Sequence, residues 1–411
     1  MRGEFRTGDI EQSQVLSLLN ESFEDWGDEE LFQWKYNEYP RYDPDKHSFS
    51  ITIDGELAAF RRVFRKEFVT DEETIPIHIY GDTAVAPKYQ GRGLYSKLYE
   101  RTKEYSEQSD AKYVAAFNRK GNLTFDANLE RGWSYQTLPL QLRIISPKPV
   151  LKTYASYITN NTPVIDSVLK TVGHRLHITT SDGILTVEEM VAKNNKSGYQ
   201  SIGPVLSDIA IADYVEEVST DGNTLKNILT RSFSLAINGH VSIDGTLDDT
   251  KPKYDGLTNI ETRVKNKISG EEIDRIISIS GEDEVFRRSA RNLHHLIQYP
   301  KSDVILAYDN NNNIIGYAIL GPQRTSDVVE GRILEIQTKN NNNRIRSALL
   351  NRALDRSINR GFDLLLVISE ESLGRKWARV DYQTIVYNNM NDDYMNDDFI
   401  SPSRFSFYDI V

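Results

Sequence analysis

The 411-residue chain contains no cysteine. That absence excludes disulfides, thiolate-ligated zinc, iron–sulfur clusters and a thiol nucleophile, so any covalent chemistry would have to use another group. Long apolar runs are missing too, with no stretch reaching the roughly 18 residues that a membrane-spanning helix needs. The opening residues MRGEFRTGDIEQSQ lack the basic, apolar, small-residue order of a secretory leader. The expected compartment is therefore the cytoplasm. Positive charge is in deficit, with 49 Lys and Arg against 60 Asp and Glu and a formal net charge of −11. Such a chain repels phosphate backbones, so no nucleic-acid partner and no membrane partner is expected.

What is present fits a globular chain of more than one domain, 39% hydrophobic and 27% charged. Strand-like and helix-like segments alternate, which predicts an α+β (mixed α/β) fold rather than an all-β sandwich. Ile10 to Phe23 reads as a helix, and Phe49 to Phe64 as a hairpin turning at Asp54-Gly55. A strand from Ile77 to Ala86, a helix from Gly93 to about Ser106 and a strand from Lys112 to Phe117 follow, with a strand pair after Trp133.

This order recurs from Val304 onward. The hairpin VILAYDNNNNIIGYAIL stands where FSITIDGELAAF stood, and a constant offset of 251 carries Val85 to Ile336, Leu94 to Ile345, Leu98 to Leu349 and Val114 to Leu365. Further on, Tyr135-Gln136-Thr137 matches Tyr382-Gln383-Thr384. The expectation is two copies of one fold, each a central twisted mixed sheet flanked by helices. An N-terminal domain would span 1–145, a connector 146–195 opening with Pro147-Lys148-Pro149, and a C-terminal domain 196–411. The Asn runs at 310–313 and 340–343 read as loop tips, because Asn tolerates left-handed turns. Asp309 and the asparagines after it lack the Gly and closing Glu of a calcium loop. No metal is expected.

The segment GDTAVAPKYQGRGLYSKLYERTKEY runs from a strand through a Gly-rich turn straight into an amphipathic helix. Such a turn aims the backbone N–H groups of Gly91 to Tyr95 at one spot, where the helix dipole adds positive potential and a phosphate would bind. Spacing excludes the two common nucleotide loops. Ser96 stands where a dinucleotide fingerprint needs its third Gly, and no Gly-Lys-Ser/Thr closes the loop.

Gln90-Gly91-Arg92-Gly93 after Val85-Ala86-Pro87 resembles the acyl-CoA signature of the GNAT acetyltransferase family, Arg/Gln-x-x-Gly-x-Gly/Ala behind a Val-x-Pro strand end. The resemblance covers about residues 3 to 145 and includes Asn118 and Gly132-Trp133, the latter standing for the family's Gly-Phe. It departs at Tyr95, which fills the final Gly/Ala slot and adds bulk near the loop. The resemblance implies acetyl-CoA as acyl donor and direct attack by an amine on its thioester in a ternary complex. The backbone of Thr83, Ala84, Val85 and Ala86 would pair with the pantetheine arm. The amides of Gly91, Arg92, Gly93, Leu94 and Tyr95, behind Gln90, would hold the pyrophosphate. Arg92 or Lys88 would meet outer phosphates, and Asn118 would bind the arm from the other strand.

For a base, His78, Tyr80 and Asp82 alternate, so on a regular strand they share one face. They form either a pocket wall with Asp82 or His78 as base or a hydrogen-bonded triad on an exposed face. The family's thiolate-protonating Tyr falls at Asn128 here, which leaves the acid to Tyr135 or Tyr80; the terminal carboxylate of Val411 is a further option for the base. Trp26, Trp34, Tyr36 and Tyr39 form an aromatic cluster that would line the acceptor site, with core packing the competing role. In the second copy Asn341, Asn342, Asn343 and Arg344 replace Gln90 to Gly93, so it is expected to bind no CoA. His174 with His177 reads as a solvated pair rather than metal ligands, and His294 and His295, being adjacent, point apart on a helix, so no metal role is expected of them either.

The expected function is N-acetyl transfer to a small-molecule amine or amino sugar, in a protein for which a side-by-side homodimer is one arrangement the resemblance implies. A FemX-like aminoacyltransferase and a non-catalytic acyl-CoA-binding scaffold are the readings from other classes. The charge balance argues against the first, and the missing family tyrosine speaks for the second.

Overall fold

Two seven-stranded mixed sheets dominate the chain, and each borrows a strand from the other end of the sequence. A computed structural model describes residues 3–8, 10–23, 26–69, 74–120, 122–145, 177–180, 183–186, 260–279, 290–325, 328–369, 373, 378–380 and 383–390. The N-terminal half supplies β1 (Glu4–Thr7), α1 (Gln12–Phe23), the short helices α2 (Glu29–Phe32) and α3 (Pro44–His47), β2 (Ser48–Ile53), β3 (Glu56–Val69) and β4 (Thr74–Val85). It continues with α4 (Leu94–Glu107), β5 (Tyr113–Arg119), α5 (Leu123–Glu130), β6 (Ser134–Thr137) and β7 (Leu140–Ile144). A separate hairpin, β8 (His177–Thr180) and β9 (Gly183–Thr186), precedes β10 (Glu261–Lys265), α6 (Gly270–Ile277), α7 (Ala290–Ile297), β11 (Asp303–Tyr308), β12 (Ile314–Thr325) and β13 (Val328–Thr338). The last elements are α8 (Asn343–Asn359), β14 (Leu364–Ile368), β15 (Ala378–Val380) and β16 (Gln383–Asn389).

The first sheet has the order β1-β2-β3-β4-β5-β16-β6 and the second β10-β11-β12-β13-β14-β7-β15. All neighbours are antiparallel except β4 with β5 and β13 with β14. The strands after Trp133 do not pair with each other: β6 stays in the first sheet beside β16, and β7 crosses to lie between β14 and β15. Leu138 to Leu140 makes the crossing, with all of its apolar side chains buried. The two sheets therefore exchange strands across the 1–145 and 196–411 spans. Of the 146–195 connector only β8 and β9 fall among the described residues.

Local chemistry explains the elements around the site. The β2–β3 hairpin turns at Asp54 and Gly55 with both φ values positive, +54° and +86°. In α4, Leu94, Leu98, Tyr99, Thr102 and Ser106 make the buried stripe that seats the helix on the first sheet. Asn122 caps α5 by accepting from the Phe125 N–H at 2.7 Å. The Asn-rich tip at 310–313 is an Asx turn, with Asp309 accepting from the Asn311 and Asn313 amides. Among the described residues no helix is long and apolar enough to cross a membrane.

Candidate acyl-donor site

Strands β4 and β5 part company early. Their parallel pairing runs only from Ile77↔Tyr113 to Ile79↔Ala115, while β4 continues to Val85 and β5 to Arg119. The facing edges beyond that point, 80–85 and 116–119, have no ladder partner among the described residues, so the sheet opens as a wedge. Buried backbone groups do not stay unpaired without a partner of another kind, which marks such an opening as a place for an extended ligand. The Gly-rich turn stands next to it, joined to the end of β4 by a single 3-10 turn at Pro87–Tyr89.

Gly91 and Gly93 both adopt the left-handed conformation, at φ +72° and +73°. Gly93 is the N-cap of α4 and offers no side chain to the first-turn amides. A Cβ at either glycine would meet nothing within 4 Å, so the turn needs glycine for its backbone angle rather than for space. Gly91, Arg92 and Gly93 are exposed, Leu94 is buried beneath them, and Gln90 ties the turn to β4 by donating to the Val85 carbonyl at 3.2 Å. Exposed amides at a helix N-terminus with no capping side chain are chemically suited to a phosphate. Lys88, expected to meet a phosphate, is paired with Glu56. Arg92 lies over the Tyr89 ring.

Tyr95 does not crowd the turn. Its hydroxyl donates to Asn128 Oδ1 at 3.0 Å, and Asn128 donates in turn to Asn118 Oδ1 at 3.3 Å on the β5 side of the wedge. Thr83, on the open edge of β4, accepts from Arg61 Nε at 2.9 Å. The donor-site candidates Thr83 to Ala86, Gln90 to Tyr95 and Asn118 thus lie along the two lips of the wedge and the turn beside them.

The three β4 candidates for catalysis do not share a face. A bulge between Phe60↔Ala84 and Arg62↔Gly81, with Asp82 at φ +47°, breaks the alternation that the sequence pattern assumes. His78 and Tyr80 face α4: His78 Nδ1 bonds Ser106 Oγ at 2.9 Å and stacks on Tyr105, and the Tyr80 hydroxyl donates to the Thr102 carbonyl. Both are enclosed. Burial, helped by nearby His47 and Arg65, pushes the His78 imidazole down to about 4, and burial raises Tyr80. They form a hydrogen-bonded group, as the second reading had it, but a buried one rather than one on an exposed face.

Asp82 faces the other layer, where Trp26 Nε1, Lys35 Nζ and the Tyr36 hydroxyl all donate to its carboxylate, at 3.2, 2.9 and 3.0 Å. Burial alone would raise this carboxyl, but Lys35, Arg62 and the donated hydrogen bonds outweigh it and hold Asp82 below its ordinary value. Trp26 and Tyr36 therefore converge on Asp82 as a unit. Trp34 does not belong with them. It is 3% exposed, stacks on His295 and packs edge-on against Tyr299, so its place is between the two halves rather than beside an acceptor.

Sequence reasoning missed Lys35, Arg61, Arg62 and Arg131. The signal for two of them was the Arg61-Arg62 pair inside the apolar run LAAFRRVF; consecutive strand residues point to opposite layers, and both are buried. At the corresponding place in the second sheet the helix N-terminus is closed. Asn342 caps α8 with its own side chain, accepting from the amides of Arg344 and Ile345.

Comparison with known proteins agrees with this geometry. Residues 13–124, from α1 through the turn, α4 and β5 to the start of α5, match the acetyltransferase (GNAT) family model. Over the whole chain the fold resembles Saccharomyces cerevisiae N-myristoyltransferase with bound myristoyl-CoA, with a TM-score of 0.52 and 13% identity over 100% of this chain and 84% of that one. Two further solved structures score 0.48 at 11% identity: a GCN5-related N-acetyltransferase from Anabaena variabilis, covering 95% of this chain and 73% of that one, and a probable N-acyltransferase from Enterococcus faecalis, covering 94% and 72%. No curated protein matches the sequence significantly.

Proposed function

We propose that the protein is an N-acetyltransferase that takes acetyl-CoA at the wedge between β4 and β5 and acylates the amine of a small molecule, an amino sugar among the candidates. The observation that carries this reading is the opening of the sheet after Ile79 and Ala115 beside an exposed, uncapped helix N-terminus. The residues present fit the donor. An extended pantetheine arm can take the edge groups of Thr83 to Ala86, Asn118 flanks it from β5, and the Gly91–Tyr95 amides suit the diphosphate.

Chemistry here rests on positioning. The amine nitrogen attacks the thioester carbonyl, the C–S bond breaks and its electron pair leaves on sulfur. A free amine is needed, and water is the simplest sink for the ammonium proton because His78 and Tyr80 are enclosed. Asp82, held ionised by Lys35, is a weak base. Its role in this reading is to fix Trp26 and Tyr36 next to the β4 bulge.

The second sheet supports a tandem arrangement. It repeats the single parallel pair, a bulge in the fourth strand between Ile319↔Glu335 and Leu320↔Ile333, and a long helix after that strand. Its capped helix offers no anion site, so we infer a degenerate copy with a structural role.

Titrating acetyl-CoA calorimetrically into wild type and into Gly93→Glu tests the reading. One site in wild type that is lost in the variant, followed by amine-dependent thiol release across an amine panel, is the expected result. Two sites would refute the degenerate copy. Binding without turnover would leave the scaffold function in its place.

A further inference from the structure

Lys88 is neutralised by Glu56, so the cations that serve the turn have to come from elsewhere. Two arginines converge on the ring of Tyr95, a first-turn residue of α4, from different elements. Arg61, from β3, is 2% exposed; it reaches under the helix, donating to Thr83 Oγ1 at 2.9 Å and Thr102 Oγ1 at 3.0 Å. Its guanidinium lies 5.0 Å from the Tyr95 ring and also contacts the rings of Tyr80 and Tyr99. Arg131, just past α5, donates to Ser96 Oγ at 3.1 Å and to the Ala127 carbonyl at 2.6 Å, and lies 5.4 Å from the same Tyr95 ring. Tyr95 and Ser96 are the second and third residues of α4.

Neither arginine has a carboxylate partner among the described residues. This is unusual for Arg61, since a buried cation without a counter-charge is costly and burial is the main force on its guanidinium, lowering its pKa. Threonine hydroxyls and tyrosine faces solvate the charge without cancelling it. The chain as a whole is strongly acidic, so two uncancelled guanidiniums about one first-turn tyrosine are not a by-product of composition. They add to the dipole and amides of the same turn.

We propose that Arg61 and Arg131 are positioning residues for the acyl donor, which supply the charge that makes the α4 turn selective for a diphosphate. The inference rests on the donor reading above. It also accounts for the tyrosine in the final Gly/Ala slot: the ring spaces the two guanidiniums and its hydroxyl ties them, through Asn128, to the β5 lip. The guanidiniums act at longer range than the amides, through a poorly screened interior, and so raise affinity for a doubly charged group above that for a neutral one.

The test measures dissociation constants of CoA, dephospho-CoA and pantetheine for wild type, Arg131→Gln, Arg131→Lys and Arg61→Met at several salt concentrations, with thermal unfolding checking that each variant is folded. CoA and dephospho-CoA should each bind Arg131→Gln about tenfold more weakly. Pantetheine should bind it as it binds wild type, the salt dependence for CoA should flatten, and Arg131→Lys should recover most of the loss. Arg131 is half-buried, with its guanidinium 4.6 Å from the Tyr99 ring, whereas Arg61 is 2% exposed, so the Arg131 variants keep the test decisive if Arg61→Met does not fold. Equal loss for pantetheine and CoA would make the arginines packing residues. Loss for CoA alone, with dephospho-CoA unaffected, would assign them to the outer phosphate; no loss at all would remove them from the site. Any of these overturns the proposal while the donor reading stands, whereas failure of wild type to bind CoA overturns both.

Discussion

Trp34 and His295 exchange two hydrogen bonds across 261 residues of sequence: the indole N–H donates to the His295 carbonyl at 2.7 Å, and His295 Nε2 bonds the Trp34 carbonyl at 2.8 Å. A carbonyl only accepts, so Nε2 carries the ring proton and Nδ1 is the bare nitrogen. Their rings stack 4.4 Å apart, and Tyr39 closes on the histidine edge-on. The pair fastens the segment ahead of the first hairpin to α7.

Stability should therefore fall with acid. Burial pushes both His295 and His78 down to about 4, from an ordinary 6.5. Between those values an unfolded chain takes up protons that the folded chain refuses, so stability is full above about pH 6.5 and declines towards pH 4, by at most about 3 kcal/mol for each residue. Urea unfolding at pH 7.5 and 5 measures this. His295→Gln, which can still donate to the Trp34 carbonyl but does not titrate, should show a shallower decline than wild type. An equal decline would mean that His295 is not part of it.

Replacing Asp82 by Asn should hurt folding more than it alters the pH–rate profile. The change leaves Lys35 buried without its partner and converts one accepting oxygen into a donor facing other donors, at a cost of about 3 kcal/mol or more. Adding Lys35→Met should recover part of that loss. A folded Asp82→Asn enzyme that has lost the acid-side limb of its kcat profile would instead show the carboxylate to be the base.

Much of this was legible in the sequence because it is local. The β2–β3 turn at Asp54-Gly55, the Gly-rich turn that leads into an amphipathic α4, and the strand–helix–strand that recurs at an offset of 251 all follow from spacing. What was not legible depends on one extra residue or on partners far away. The bulge at Asp82 inserts a residue into β4 and sends the carboxylate to the layer opposite His78 and Tyr80, and nothing in a period of two announces it. Trp34 reads as an acceptor-site aromatic by position alone; only the fold reveals that α7 covers it. The crossing of β7 is equally hidden, since Leu140–Ile144 would suit either sheet.

Gly91→Ala and Gly93→Ala should separate backbone angle from space. No atom lies within 4 Å of either added methyl, so the expected cost is left-handed strain alone, about 1 kcal/mol each by thermal unfolding. CoA affinity should fall only slightly for Ala and vanish for Gly93→Glu. A large loss with Ala would mean that the diphosphate approaches the Cα itself.

The strand exchange predicts that neither half is an independent folding unit. Without β16 the first sheet loses the strand between β5 and β6, which pairs Gln383–Asn389 with Tyr113–Arg119 along the whole of β5. That removes the buried side chains of Ile385 and Val386 from the two core layers of the N-terminal half, and it frees the lip of the wedge that carries Asn118, whose carbonyl accepts from Thr384 Oγ1 at 3.0 Å. A fragment of residues 1–145 would also expose β7, which is stripped of both neighbours. Open strand edges of this kind pair with other chains. The fragment should therefore aggregate or lack a cooperative thermal transition, and it should bind no CoA although it contains the entire glycine turn. Mixing it with a fragment from residue 196 onward should restore one transition and CoA binding together. If 1–145 alone unfolded cooperatively and bound CoA with wild-type affinity, the exchanged strands would be decoration on a self-sufficient domain rather than part of the donor site's wall.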